Sequence, residues 1–224
     1  LIIINSFLIK GGELFMLDNF KEGQPIVCGI LEKIIKNNKC SHAYLFQTND
    51  YHKAENLAVA FAKELICPLD KKNNKICKDC NLCRRIDNNT FSGFKIINAE
   101  GMWIKKEQLL NLQKTFNLKT IEGKRKVYII NGAEKLNPQA ANSILKFLEE
   151  PEEDIVAILL TNNVNKVLRT IVSRCQVINF NKAKIEELSA CSDTGESLTN
   201  IKTSILLNIN IESDNAKEVH KERL

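Results

Sequence analysis

Cys67, Cys77, Cys80 and Cys83 are the residues of this sequence whose type and spacing most directly imply chemistry. Two overlapping C-x2-C steps gather three thiolates around one point, and a nine-residue loop returns a fourth. That is the ligand set of a closed tetrahedral Zn²⁺ site. Four protein ligands leave no coordination position for a substrate, so the expected metal is structural. Lys72, Lys75, Lys78, Arg84 and Arg85 surround the cluster and would offset its formal negative charge. Free thiols or disulfides are the plainer alternative, a metal ribbon that binds nucleic acid is another, and a soft metal other than zinc fits the same donors.

Two absences carry as much information. A strand, a loop and a helix over residues 43–66 stand where a P-loop ATPase carries G-x-x-x-x-G-K-[ST]. Laid on Lys53, that pattern puts Gln47 and His52 on the glycine positions and Ala54 on the Ser/Thr position. The glycines turn the loop tightly and bare its N–H groups to phosphate. The hydroxyl holds Mg²⁺. Lys53 alone replaces none of this and reads as a solvated lysine at a helix start. At the end of the strand 126–130 an ATPase places Asp, often Asp-Glu, to hold Mg²⁺ and orient water. Asn131 and Gly132 stand there instead. Both halves of the nucleotide chemistry are degenerate, and no bound ATP is expected. One further residue, Arg174 in Thr170-Ile171-Val172-Ser173-Arg174-Cys175, sits at a helix end before a strand. Taken singly, such an arginine is more often a surface or ion-pair residue.

The elements that would position these residues are legible from periodicity. Apolar residues at helical spacing mark helices over 24–38, 54–66 and 106–116. Pro138 opens a helix that runs through 140–150 until Pro151 stops it, with Ile144, Leu145 and Leu148 on its buried side. Glu149, Glu150, Glu152 and Glu153 crowd its end against the helix dipole, which calls for a polar or basic partner there, the alternative being a solvated acidic turn. Short apolar runs at 43–46, 94–97, 126–130, 155–160 and 177–178 are strands of a sheet covered on both faces. A short helix over 164–173 and a polar excursion over 67–90 complete the pattern. Strands alternating with helices imply parallel pairing and an α/β, doubly wound, three-layer core.

Four motifs occur in one order: Ser41-His42-Ala43-Tyr44-Leu45-Phe46, the four cysteines, Asn142-Ser143-Ile144-Leu145-Lys146-Phe147-Leu148-Glu149-Glu150-Pro151, and Ser173-Arg174-Cys175-Gln176. Together they resemble the clamp-loader branch of the AAA+ ATPases, and within it the delta-prime subunits of bacterial DNA polymerase III. The resemblance covers 17–180. It implies a P-loop NTPase (AAA+) type core with an inserted zinc module at about 67–90 and a degenerate P-loop. It also implies a role for Arg174, with Ser173 and Cys175 beside it: an arginine finger projected into the ATP site of a neighbouring motor subunit. The implied partners are the gamma/tau and delta subunits and, through the complex, the sliding clamp and primer-template DNA. The implied setting is DNA replication in the cytoplasm, with a subunit that is no enzyme by itself while its partners hydrolyse ATP.

Bulk properties agree. A chain of 224 residues with 44% hydrophobic and 26% charged residues suits a soluble core with an appendage, and its net charge of +5 comes from dispersed lysines without interleaved aromatics. No apolar run approaches the ~20 residues that span a bilayer, so no membrane partner is expected. Scattered Cys28, Cys40, Cys175 and Cys191 favour a reducing compartment. Residues 1–15 read as an upstream extension, because Lys10-Gly11-Gly12-Glu13 corresponds to a purine-rich ribosome-binding site ahead of Met16. The expected organisation is that extension, a core over 16–180, and a partial helical lid or irregular tail over 181–224 without the family's collar domain. Two rival readings stay open: an ATP-hydrolysing gamma/tau-type subunit, and a zinc-dependent nucleic-acid-binding module.

Overall fold

A computed structural model describes residues 17–67, 69–70, 75–76, 80–116, 125–151 and 154–180. The chain divides into two units, 1–183 and 184–224, and every described residue lies in the first. The expected extension at 1–15 and the expected lid at 181–224 lie outside the described residues.

Helix α1 (Pro25–Lys36) starts on a proline, whose fixed φ suits the first helical position, and buries Val27, Cys28, Leu31 and Ile34. Strand β1 (Ala43–Gln47) leads into α2 (Tyr51–Ile66). The expected cysteine-bearing excursion is not wholly irregular. It holds a small antiparallel pair, β2 (Leu69–Asp70) with β3 (Lys75–Ile76), and a helix α3 (Asn81–Asp87). The Cys80 thiol accepts from the Cys83 N–H and so caps α3, a role more familiar from serine or aspartate. Then follow β4 (Phe94–Asn98), α4 (Lys106–Phe116), β5 (Lys126–Asn131), α5 (Pro138–Glu149), β6 (Ile155–Thr161), α6 (Arg169–Val172) and β7 (Gln176–Asn179).

The five longer strands form one sheet in the order β4-β5-β6-β1-β7, every pair parallel. Alternation along the strands divides the core in two. Tyr44, Phe46, Val127, Ile129, Val156 and Ile158 face α1, α2 and α3. Ala43, Leu45, Tyr128, Ile130, Ala157 and Leu159 face α4, α5 and α6. All seven residues of β6 are buried, as a central strand covered on both faces requires. The result is the expected three-layer α/β architecture. Strand β1 lies between β6 and β7, so connections leave in opposite directions around it and open a crevice past the carboxyl ends of these strands.

One expectation is corrected. The single helix over 164–173 is instead a 3-10 turn, Val164–Lys166, and the four-residue α6, separated by extended Val167 and Leu168. Val167 is buried in the second core, and drawing it inward breaks the helix. On α5 the expected Ile144 and Leu148 are buried together with Ala140 and Ala141, and Leu145 packs against the same core, partly covered. Among the described residues no helix is long and apolar enough to cross a membrane.

Candidate functional site

The crevice at the end of β1 is where an α/β sheet of this order would hold a nucleotide. Three residues, Thr48, Asn49 and Asp50, connect β1 to α2. The Thr48 N–H donates to the Thr161 carbonyl (2.9 Å), and the Thr48 hydroxyl both donates to the Asp50 carbonyl and accepts from the Asp50 N–H (3.0 Å each). Asp50 then caps α2, its carboxylate accepting from the Lys53 N–H at 3.1 Å. That N–H, foremost, holds the Asp50 carboxyl below its usual range. A carboxylate therefore occupies the helix N-terminus that a phosphate would need. The Lys53 ammonium, 80% exposed, reaches back to Asp50 at 3.4 Å. His52 is exposed, its ring nitrogen against the Asn56 amide at 3.2 Å, and Ala54 is buried. Gln47 closes the mouth of β1, 3.5 Å from the Asn179 amide on β7.

A side-chain network spans the rest of the crevice. The Tyr51 hydroxyl donates to Glu134 and accepts from the Asn162 N–H at 3.0 Å. The Thr161 hydroxyl donates to the other oxygen of Glu134 at 2.7 Å. Burial first, then the adjacent Glu134, pushes the Tyr51 hydroxyl well above the usual tyrosine range. Asn131, at the position of the lost acid, donates its amide to Glu55 on α2. A carboxylate at 131 would instead face Glu55 as a like charge. Burial raises the Glu55 carboxyl, opposed by the nearby His52. Gly132 turns the chain at φ +94, a conformation L side chains rarely adopt, and its N–H donates to Leu160 (3.1 Å). Tyr51, Glu55, Glu134 and Thr161 did not stand out in the sequence. Their partners lie 83, 76 and 27 residues away, and no local pattern joins them.

Arg174 lies one residue past the C-cap of α6. Its N–H donates to the Ile171 carbonyl at 3.1 Å. One guanidinium nitrogen donates to the Thr170 carbonyl and the other to the Glu149 carboxylate, both at 2.8 Å. Glu149 is the last residue of α5, so the acidic helix end and the serine-arginine-cysteine turn meet across 25 residues of sequence. Arg174 is thereby the basic partner expected at that end; Glu152 and Glu153 lie outside the described residues. Ser173 is exposed and donates its hydroxyl to the Thr170 carbonyl (3.2 Å). Cys175 packs against the second core, and burial pushes its thiol up to about 12.

Cys67, Cys80 and Cys83 converge from the end of α2 and the start of α3, their three sulfurs within 4.8 Å of one another. The Cys67 and Cys80 sulfurs are 3.6 Å apart, too far for a disulfide bond. Tetrahedral thiolate ligands at about 2.3 Å from zinc stand about 3.8 Å from each other, so these residues fit a shared metal. Cys77, Lys72 and Lys78 lie outside the described residues, as does the Lys75 side chain. Burial, then the neighbouring Cys80 and Cys83, drives the Cys67 thiol far above its usual range, a penalty that a cation relieves by drawing off the proton. The Arg85 guanidinium lies over the Phe91 ring at 5.6 Å. Lys63 on α2 pairs with Asp87 on α3 and ties this module to the core.

Comparison with known proteins places this architecture. A family model described as DNA polymerase III, delta subunit, matches residues 23–184. DNA polymerase III subunit delta' of Bacillus subtilis (strain 168) is 36% identical over 159 residues, which are 71% of this chain and 48% of that protein. DNA polymerase III subunit tau of the same organism is 31% identical over 166 residues, covering 71% of this chain and 28% of that protein. The chain thus spans about half the length of the first relative and about a quarter of the second. A solved structure of a DNA polymerase III gamma subunit-related protein from Thermotoga maritima superposes with a TM-score of 0.53 at 23% identity, over 66% of this chain and 45% of that one, a likeness of fold.

Proposed function

Because this chain belongs to the DNA polymerase III delta-subunit family, on the delta-prime side, we propose that it is a clamp-loader subunit that binds no nucleotide and acts on ATP held by its neighbour. The observation that carries this reading is the three-residue β1–α2 connection with the Asp50 carboxylate on the Lys53 N–H. A phosphate cradle needs several free N–H groups in a glycine-rich loop. Here the leading N–H is taken by a negative charge that would also repel phosphate. The Tyr51–Glu134–Thr161 bonds draw the remaining crevice walls together, and neither Asn131 nor Gly132 can ligate Mg²⁺ as a carboxylate.

Arg174 supplies the activity that remains. It is partly exposed on the turn after α6, and a guanidinium set against a transferring phosphoryl group stabilises the charge of the transition state, a contribution of about 10³ to 10⁵ in rate. Lysine would serve less well, since it lacks the planar fork that meets two phosphate oxygens together. In this reading the gamma/tau motor binds and hydrolyses ATP, this subunit donates Arg174 in trans, and the assembled loader acts on the sliding clamp at primer-template DNA in the cytoplasm. Cys67, Cys77, Cys80 and Cys83 hold one structural Zn²⁺, which fixes the start of α3 against the end of α2 and supplies no reaction step.

The test is thermal unfolding with and without Mg-ATP. A binding protein at 100 Kd of ligand gains about 2.7 kcal/mol. We expect no shift here. A saturable, ATP-specific rise in melting temperature would instead show that the chain binds nucleotide and favour a motor of the gamma/tau kind.

A further inference from the structure

We infer that Glu149 is a positioning residue for Arg174, holding the guanidinium in its working orientation before any neighbour docks. This rests on the reading of Arg174 as a finger in trans. Two fixed acceptors grip the guanidinium, the Glu149 carboxylate and the Thr170 carbonyl, each at 2.8 Å. They sit on different elements, α5 and α6, so the group is held from two directions. A guanidinium has five N–H donors, and two are committed; three are uncommitted to any described residue. With 33% of the side chain exposed, the free donors remain accessible to an incoming anion. A free arginine surrenders rotamer freedom when it is fixed. Here that ordering is supplied within the subunit by a pair that already exists.

The acid is otherwise ill placed. Glu149 lies at the C-terminal end of α5, where the helix dipole disfavours negative charge. Arg174 neutralises it, so each residue accounts for the other's presence. The pair is half-open to solvent, which limits its worth to that of a surface ion pair, about twofold to fivefold in an equilibrium or rate. Glu149 therefore tunes the finger while Arg174 supplies its chemistry.

The experiment uses the loader reconstituted from this subunit with its motor and delta subunits. DNA- and clamp-stimulated ATP hydrolysis is compared for wild type, Glu149→Gln, Arg174→Ala and the double variant. The expected result is a kcat lowered about twofold to fivefold by Glu149→Gln with KM for ATP unchanged, a larger loss in Arg174→Ala, and no additional loss in the double variant. A merely structural role for Glu149 would persist in the Arg174→Ala background. That outcome, or a wild-type kcat for Glu149→Gln while Arg174→Ala is impaired, overturns the positioning role and leaves the finger standing. An unimpaired Arg174→Ala loader overturns both.

Discussion

Replacing Tyr51 by Phe removes one oxygen from the crevice and leaves the ring in place. That oxygen donates to the Glu134 carboxylate and accepts from the Asn162 N–H. Water can replace it at Asn162, which is exposed. Glu134 is the larger loss, because it keeps only Thr161 as a described donor. A hydrogen bond to a charged group contributes about 1.5 to 3 kcal/mol, and Tyr51 is only half-buried, so we discount this to about 1 to 1.5 kcal/mol. In a domain of this size that is a fall of about 2 to 6 °C in Tm. Urea unfolding is the assay: the midpoint should drop while the slope stays constant, since the exposed area is the same. Repeating the substitution in a Glu134→Gln background should give a smaller loss, the non-additivity expected of directly bonded partners. An unchanged midpoint, or equal losses in both backgrounds, would refute the view that this network clamps the crevice shut.

Three further outcomes follow from the same geometry. Burial raises the folded-state pKa of Glu55 above its unfolded value of about 4.3, so its contribution is fully present below that pH and is lost as pH rises through the folded pKa. Glu55→Gln should therefore gain stability relative to wild type as pH climbs from about 4, as read by urea midpoints at several pH values. Gly132→Ala forces a Cβ into φ +94, with Lys135 3.1 Å from it, and should lose about 1 to 2 kcal/mol in the same assay. Metal analysis of purified protein should find one zinc per chain, and Cys83→Ser should lose it together with stability, whereas retention of stoichiometric zinc would exclude Cys83 as a ligand.

Much of the fold was written in local patterns. The runs at 126–130 and 155–160 are apolar because strands buried on both faces have no polar side, and the α4 period at 106–116 matches its observed bounds. Failures came where tertiary contact overrode local signal. Val167 is buried at the expense of a continuous helix, and a thiol caps α3 where no usual capping residue stands. At the site, the missing glycines and acids were visible as types at known offsets. What fills their place was not: Tyr51 meets Glu134 across 83 residues, and Asn131 meets Glu55 across 76. The Arg174–Glu149 contact lay between the two outcomes, since both residues stood out but nothing in the sequence joined them.

In the proposed role, Arg174 completes an ATP site on another subunit. Single-turnover hydrolysis by the reconstituted loader, with clamp and primer-template DNA present, decides this when wild type is set against Arg174→Ala. The expected result is intact assembly with hydrolysis at the one site that abuts this subunit slowed by about 10³-fold or more. Wild-type hydrolysis at every site, with assembly intact, would contradict it.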